Sequence, residues 1–203
     1  WPVPGGYVTA SADGTTATVR RMTATGNQVW VRTEANCILR SATGGPGHDS
    51  YLLCSNGDVL RFASDGKRFW RQKVGPSASK TSLSVGIAAC PGGVYVAGRS
   101  TSTARLWRTD RDGNNPSTIT IGGSGKSMGH VVRCLKGGGV AVGLTDDTAA
   151  TGPPATAAYN VLNQLKWRRV GGPGYRPLDV HVDGGDVYAL NMGTYAGGKG
   201  RIW

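Results

Sequence analysis

A turn of two glycines followed by an apolar strand occurs four times along this chain of 203 residues. Two copies, Gly92-Gly93 and Gly138-Gly139, are 46 residues apart, and Gly184-Gly185 follows after another 46. The first copy, Gly5-Gly6, lies 87 residues before Gly92-Gly93, which is close to two such periods. A repeat of roughly 40 to 50 residues that contains several short strands is typical of the β-propeller.

Each repeat is predicted to contain four short antiparallel strands bounded by Gly, Asn and Asp. The third repeat is the clearest, with strands expected at residues 82–89, 94–98, 103–109 and 117–121. The other repeats align with it, giving about four and a half repeats of roughly 45 residues and no helical periodicity. We therefore predict one domain over residues 1–203, an all-β propeller of four-stranded antiparallel blades, with five blades favoured.

In this alignment the first and last residues of the chain do not together complete one four-stranded repeat. Trp1 lies where an inner strand ends, and Trp203 aligns with Trp107 in the middle of a third strand. A propeller normally closes by joining both ends within one blade, which removes open strand edges. We therefore expect an incomplete ring, to which further residues of a longer chain or strands of neighbouring subunits are added.

A second repeated element has the form Gly-x-x-x-Trp. It occurs twice intact and once in degraded form, at Gly26 to Trp30, Gly66 to Trp70 and Asn163 to Trp167. The element resembles the tryptophan-docking repeat of quinoprotein-like, PQQ-type β-propellers, in which the Trp docks on the neighbouring blade. The resemblance implies that all three Trp side chains are buried between blades. The third repeat departs from it, with Ser117 at the Trp position.

Few side chains are suited to catalysis. Members of that family that bind the quinone cofactor need a calcium site of acidic and amide side chains, often with vicinal cysteines. This sequence has no Cys-Cys pair and few acids in predicted inner strands, so we expect no cofactor, no metal and no catalytic residue. Asp179 and, at a turn, Asp183 are the inner-strand carboxylates, and we interpret Asp179 and His181 as a hydrogen-bonded pair. A fragment of a five-bladed glycoside hydrolase remains an alternative, because missing strands could supply a second carboxylate.

The four cysteines form two candidate pairs. Cys37 and Cys54 flank a predicted hairpin whose symmetric register places them opposite each other, and a disulfide or two buried thiols both fit. Cys90 and Cys134 are one position out of register relative to their glycine turns. They should face opposite sides of their strands, so this pair is harder to join than Cys37 and Cys54. A disulfide would indicate an oxidising compartment.

The chain is basic, with 23 Lys and Arg against 12 Asp and Glu and a net charge of +11. Such a surface attracts polyanions. Basic residues also lie beside the tryptophans, and an aromatic face next to a guanidinium can stack a sugar or base while the cation binds an anionic group. Alternation along outer strands, with Trp inward and Arg in solvent, explains the same pattern. The candidate binding residues are Arg68, Arg71, Trp107, Arg108, Arg168 and Arg169.

These features favour a non-catalytic binding or scaffold module that recognises a glycan or a protein on a cell or virion surface. We expect it to be extracellular, periplasmic or part of a virion, with a polyanion and neighbouring subunits as further partners. A lectin with repeated sugar sites between blades is the alternative. No apolar run approaches the roughly 18 residues needed to cross a bilayer, so no membrane insertion is expected.

Overall fold

The computed structural model describes residues 1–79, 82–122, 127–145, 154–171, 175–183, 185–193 and 201–202, which form β-strands and one short 3-10 turn at Pro46–His48. Blade 1 contains β1 (Pro2–Val3), β2 (Gly6–Asp13), β3 (Thr16–Thr23) and β4 (Gln28–Glu34). Blade 2 contains β5 (Leu39–Gly44), β6 (Ser50–Cys54), β7 (Asp58–Phe62) and β8 (Arg68–Lys73). Blade 3 contains β9 (Leu83–Cys90), β10 (Gly93–Ser100), β11 (Thr103–Thr109) and β12 (Ser117–Thr120). Blade 4 contains β13 (Met128–Cys134), β14 (Val140–Thr145), β15 (Pro154–Tyr159) and β16 (Leu165–Val170), and blade 5 contains β17 (Tyr175–Asp183), β18 (Asp186–Gly193) and β19 (Arg201–Ile202).

Every blade is an antiparallel sheet whose strands follow chain order from the inner strand outward. Four sheets have four strands, and the fifth has three among the described residues. The prediction of an all-β propeller with four-stranded antiparallel blades is confirmed. The strands nearest the two ends lie in different sheets, Pro2–Val3 in blade 1 and Arg201–Ile202 in blade 5.

The turn from the third strand to the outer strand has the same backbone in blades 1 to 4. The same position of each turn has a positive φ, at Gly26 (87°), Gly66 (83°), Gly113 (83°) and Asn163 (61°), and blade 3 has a second such residue, Asn115 (53°). Glycine adopts this left-handed conformation without steric cost, and Asn tolerates it better than most side chains. This explains why the Gly-x-x-x-Trp element persists in blade 4 with Asn at the glycine position.

The hydrophobic core is divided among the interfaces between consecutive blades, which we call the first to fourth junctions. Buried side chains from both sheets meet at each one, because alternate residues of a strand point to opposite faces. The fourth junction, between blades 4 and 5, has the fewest buried apolar members among the described residues. Representative residues are Val19, Leu52 and Phe62 at the first; Tyr51, Val59 and Trp107 at the second; Leu106, Val142 and Tyr159 at the third; and Val131, Ala141 and Val180 at the fourth.

A disulfide joins Cys37 to Cys54 within blade 2, with the two Cα atoms 4.9 Å apart. The structure therefore selects the disulfide over the two buried thiols. The predicted register is wrong, because Cys54 pairs with Leu39 across the strands and a bulge follows before Ser41. Cys37 instead lies just before β5, where it is buried in the first junction.

A second disulfide joins Cys90 to Cys134, the pair expected to be harder to join, with a Cα separation of 5.4 Å. They end the inner strands of blades 3 and 4, and both contact the core of the third junction. Neighbouring blades pack face to face, so the front of one sheet contacts the back of the next. A side chain on the front of blade 3 therefore meets one on the back of blade 4. Because Cys90 and Cys134 lie on opposite faces of their own strands, as predicted, their sulfurs meet at this junction. Two disulfides are typical of proteins from oxidising compartments.

Candidate functional site

Trp30 on the outer strand of blade 1 docks on the turn of blade 2. Its Nε1 donates a hydrogen bond to the carbonyl oxygen of Ser64 at 2.9 Å, and Arg21 Nη1 donates to the same oxygen at 2.8 Å. Arg32, two residues after Trp30, donates from Nε to the carbonyl of Gly66 at 2.9 Å. A Cβ on Gly66 would lie 2.8 Å from the Trp30 ring, so the close contact requires glycine there. We call this arrangement the first docking site.

Trp70 forms the second docking site on blade 3. Its Nε1 donates to the carbonyl oxygen of Arg111 at 3.0 Å, and Arg61 Nη1 donates to the same oxygen at 2.9 Å. Gln72, at the position of Arg32, lies against Gly113. The strand registers agree as well, because Arg21 lies opposite Trp30 and Arg61 opposite Trp70.

Charged groups reinforce the second docking site. Arg61 forms ion pairs with Asp49 at 2.7 Å and Asp112 at 2.9 Å, and Arg111 approaches Asp49 at 3.3 Å. The side chains of Arg61 and Asp49 are only 12% and 8% exposed. Burial on its own would lower the pKa of Arg61, but the hydrogen bonds to Asp49 and Asp112 and the charge interactions with Tyr51 and Asp49 together outweigh it, so the pKa is raised. The Arg61–Asp49 pair lies within blade 2, and the contacts of Arg61 with Asp112 and of Arg111 with Asp49 join blades 2 and 3.

The third junction lacks a docked Trp. Ser117 occupies the Trp position on β12, opposite Arg108. Its hydroxyl oxygen accepts a hydrogen bond of 3.1 Å from Nδ2 of Asn163, in the turn of blade 4. The turn is thus still contacted by the preceding blade, although the contact is a small polar one.

The fourth junction contains a Trp with no docking partner among the described residues. Trp167 lies opposite Ala158, so the arginine found at the first two docking sites is missing here. Its side chain is 38% exposed, and the prediction that it is buried between blades is wrong. It borders a groove of about 410 Å³ between blades 4 and 5, lined by Pro154, Thr156, Trp167, Arg169, Val170, Gly171, Val187, Ala189 and Asn191.

Polar groups line this groove beside the aromatic face. Arg169 lies two residues after Trp167, opposite Thr156, and makes no hydrogen bond or ion pair with any residue that the structure describes. Asn191 is 4% exposed, and its Oδ1 has no hydrogen-bond partner in the described part of the chain. An aromatic face, a guanidinium and an amide oxygen therefore converge on one concave surface.

The structure distributes the six candidate residues over several junctions. Arg68 pairs with Glu34 at 2.6 Å. Arg71 pairs with Asp58 at 2.8 Å and also donates to the carbonyls of residues 35 and 36. Both arginines thus hold structural contacts in and around the first junction.

The remaining candidates lie on blades 3 and 4. Trp107 is 9% exposed and belongs to the core of the second junction. Arg108 donates to the carbonyl of Gly92 at 2.7 Å and lies over the ring of Tyr95. Arg168 and Arg169 follow one another on β16, and only Arg169 lines the groove. The six residues are therefore not brought together, and Trp167, Thr156 and Asn191 complete the concave surface instead.

Asp179 and His181 share the exposed face of blade 5, together with Tyr188 and Leu190. Asp179 accepts a hydrogen bond from Arg133 of blade 4 at 2.7 Å, which differs from the expected pairing with His181. No group of three potential ligands that could hold a metal ion occurs in the described ranges. Within those ranges there is also no helix long and apolar enough to cross a membrane.

Comparison with known proteins identifies the fold and little else. No protein-family model matches the sequence, and no curated protein is detectably similar to it. The structure is similar to quinohemoprotein alcohol dehydrogenase from Comamonas testosteroni, with a TM-score of 0.55 and 12% identity over 93% of this chain and 41% of that one. It also aligns with the C-terminal WD40 domain of Sif2, with a TM-score of 0.46 and 8% identity over 93% of this chain and 66% of that one. The chain thus spans about two fifths of the length of the dehydrogenase, and the similarity shows a β-propeller fold alone.

Proposed function

We propose that this chain is a non-catalytic β-propeller module that binds another macromolecule in the groove of the fourth junction. The observation that carries the proposal is the exposure of Trp167, whose counterpart Trp30 is 8% exposed and docked on the next blade. A large aromatic side chain that borders a groove beside an arginine is typical of binding hot spots.

The carboxylates support a role without catalysis. Among the described residues, the buried carboxylates are Glu34 and Asp49, and each forms an ion pair with arginine. Asp179, on an inner strand, is paired with Arg133. Glycoside hydrolysis needs one carboxyl group that acts as an acid and a second as base or nucleophile. A hydrolase would therefore have to recruit carboxylates from outside this set.

A protein is the first choice of ligand, because the same tryptophan position binds polypeptide at the first two docking sites. A glycan is the second choice, because the exposed ring of Trp167 and the polar groups of Arg169, Thr156 and Asn191 are suited to stacking and hydrogen bonding with a sugar. Repeated sugar sites at every junction are less favoured, since Trp30 and Trp70 fill the corresponding positions.

The basic surface and the disulfides support a place for this module outside the cytosol, on a cell or virion surface or in the periplasm. A polyanion is a further partner that the net charge of +11 favours. Retention on immobilised heparin should fall steeply as salt rises, because binding releases condensed counterions. Retention that is lost below about 0.15 M salt would leave the charge with no role in binding.

The proposed function is tested by screening the protein against a glycan array and a displayed peptide library. The selected ligand should bind at least about tenfold more weakly to Trp167→Ala, as expected for loss of a hot-spot aromatic. Phe69→Ala is the matched control, because Phe69 is 52% exposed on the equivalent strand of blade 2. A ligand whose affinity is equal for wild type and Trp167→Ala, or a screen that yields no ligand, would contradict the proposal.

A further inference from the structure

Among the first three junctions, the third lacks a docked Trp, and it is also the one that a disulfide bridges from one blade to the next. We propose that the Cys90–Cys134 disulfide is a redox switch of this junction, which a dithiol reductant opens while each blade stays folded. The inference concerns blades 3 and 4 and does not depend on the groove of the fourth junction.

The docking arrangement is incomplete between blades 3 and 4. Blade 3 has the arginine and the glycine of the repeated arrangement, at Arg108 and Gly113, and has Ser117 in place of the Trp. Arg108 donates to the carbonyl of Gly92 in its own blade, whereas the arginines at this position in blades 1 and 2 donate to the turn of the next blade. The hydrogen bond of 3.1 Å from Asn163 to Ser117 therefore replaces the docked indole.

The outer strand of blade 4 is also loosely packed against blade 3. Leu165 and Val170 lie opposite core residues of the third junction, so their side chains point toward blade 3. They are nevertheless 56% and 59% exposed. In blade 2 the position of Leu165 is taken by Arg68, which forms an ion pair with the preceding blade. The outer part of the third junction thus lacks both the indole and the ion pair that secure the first.

The disulfide lies where the inner strands of the two blades end. Cys90 and Cys134 each precede a glycine turn, and these turns are in close contact, because a Cβ on Gly92 would lie 2.7 Å from the carbonyl oxygen of Gly138. The hydroxyl of Tyr95 donates to the same carbonyl at 3.4 Å. The bridge therefore supplies a covalent link at the junction where the docked indole is missing.

A reductant reaches this disulfide more easily than the one in blade 2. Cys134 is partly exposed, whereas Cys37 and Cys54 are both 0% exposed. Arg133 and Lys136 are exposed and flank Cys134 in the sequence. Their positive charge favours the approach of a thiolate, which is the species that attacks a disulfide.

The switch operates by thiol–disulfide exchange with a dithiol. A thiolate of the reductant attacks Sγ of Cys134, the bond between the two protein sulfurs breaks, and Cys90 leaves as a thiolate that takes up a proton. The second thiol of the reductant then attacks the mixed disulfide, which releases Cys134 as a thiol and closes a disulfide in the reductant. The two protein cysteines are reduced, and the dithiol is oxidised by the same two electrons.

Reduction loosens the third junction without unfolding it. Its apolar core, which contains Tyr95, Leu106 and Tyr159, still holds the two blades together when the bridge is open. Brief local opening of this junction becomes more frequent, while the hydrogen bonds between the strands of each blade stay intact.

Partial reduction of the wild-type protein tests which bridge opens first. The protein is treated with dithiothreitol, free thiols are alkylated at intervals, and the modified cysteines are mapped by mass spectrometry. We expect Cys90–Cys134 to be reduced at least about tenfold faster than Cys37–Cys54. Far-ultraviolet circular dichroism should not change at the stage where the first bridge is open and the second is intact.

Hydroxyl-radical labelling then measures side-chain exposure in this partly reduced protein. Labelling of Tyr159, in the core of the third junction, should become at least about threefold faster than in the oxidised protein. Phe62, in the core of the first junction, is the internal control and should be labelled at an unchanged rate. A variant that combines Cys90→Ala and Cys134→Ala should match the partly reduced protein without any reductant.

A redesigned junction tests whether the bridge takes the place of the docked indole. Ser117→Trp and Asn163→Gly together complete the docking arrangement, and they are added to the variant that lacks the bridge. Labelling of Tyr159 should return to within about twofold of the oxidised wild type. Asn163→Gly alone is the matched control and should not restore protection. If the redesigned chain does not fold, the labelling of reduced wild type decides the question.

Three results would overturn the inference. The first is reduction of Cys37–Cys54 before Cys90–Cys134 or at the same rate. The second is labelling of Tyr159 that is unchanged when Cys90–Cys134 is open. The third is an equal rise in the labelling of Phe62, which would show that the whole protein unfolds. None of these results bears on ligand binding by Trp167, so the proposed function is tested separately.

Discussion

Arg21 and Trp30 lie opposite each other on neighbouring strands of blade 1 and donate hydrogen bonds to the same atom, the carbonyl oxygen of Ser64 in blade 2. Arg61 and Trp70 repeat the arrangement on the carbonyl of Arg111. One blade thus binds the turn of the next through two hydrogen-bond donors on adjacent strands. The sequence pattern Arg-x4-Gly-x3-Trp, which begins at Arg21 and at Arg61, indicates this arrangement.

Removing a docked Trp should cost far more stability than removing the exposed one. Trp30→Ala should lower the free energy of unfolding by about 3–5 kcal/mol, as large aromatic truncations in a core do. Trp167→Ala should lower it by only about 1–2 kcal/mol, because the side chain is 38% exposed and less apolar area is lost from the core. Urea denaturation followed by circular dichroism measures both, and equal losses would contradict the distinction between filled and open docking sites.

The ion pair between Arg61 and Asp49 should be important for stability because it is buried. Arg61→Met leaves the Asp49 carboxylate, 8% exposed, without its closest partner, and should cost about 3–5 kcal/mol. Arg133→Met is the matched control, since the Arg133–Asp179 pair is 45% and 51% exposed and should contribute less than about 1 kcal/mol. Thermal unfolding of the two variants would refute the account if Arg133→Met were the more destabilised.

The disulfide between blades should stabilise the protein more than the one within blade 2. Cys90 and Cys134 are 44 residues apart and Cys37 and Cys54 are 17 apart, so loop-closure entropy predicts losses of about 4 and about 3 kcal/mol for the paired Ala variants. Denaturation of the two double variants measures the difference. Free thiols at Cys90 and Cys134 in the unreduced protein would show that the bridge does not form.

Tyr159 should make stability depend on alkaline pH. Burial raises its pKa from the ordinary 10.0 to about 12, because the charged phenolate is disfavoured in the core of the third junction. Since the folded pKa exceeds the unfolded one, the stabilisation is fully present below about pH 10 and is lost as pH rises toward about 12. Wild type should lose about 2 kcal/mol more than Tyr159→Phe between about pH 9 and 11.5. Parallel declines of the two proteins in denaturation experiments would count against this.

The strands and their turns could be predicted from the sequence because both signals are local. Alternating apolar residues define each strand, and the positive φ of Gly26, Gly66 and Gly113 requires glycine at the turn. The exposure of Trp167 could not be predicted in this way, because it depends on what the next blade places opposite the ring. The motif from Asn163 to Trp167 is similar to the two Gly-x-x-x-Trp motifs, yet Trp167 is 38% exposed whereas Trp30 is buried against the next blade.

The site and the second disulfide were missed for related reasons. Cys90 and Cys134 were expected to point apart, and only the face-to-face packing of blades 3 and 4 shows that this orientation joins them. Thr156 and Asn191 belong to no sequence motif, and only the register of their strands places them in the lining of the groove. Two of the arginines beside tryptophan, Arg68 and Arg71, form structural ion pairs instead of lining the groove.

Hydrogen exchange of the tryptophan indoles tests most directly whether the first two docking sites are filled and the fourth junction is open. The indole N–H signals of ¹⁵N-labelled protein are assigned with single Trp→Phe variants and followed after transfer to D₂O. The account predicts slow exchange for Trp30 and Trp70, whose Nε1 atoms donate to the carbonyls of Ser64 and Arg111, and rapid exchange for Trp167. Protection of Trp167 equal to that of Trp30, or rapid exchange of all three, would contradict it.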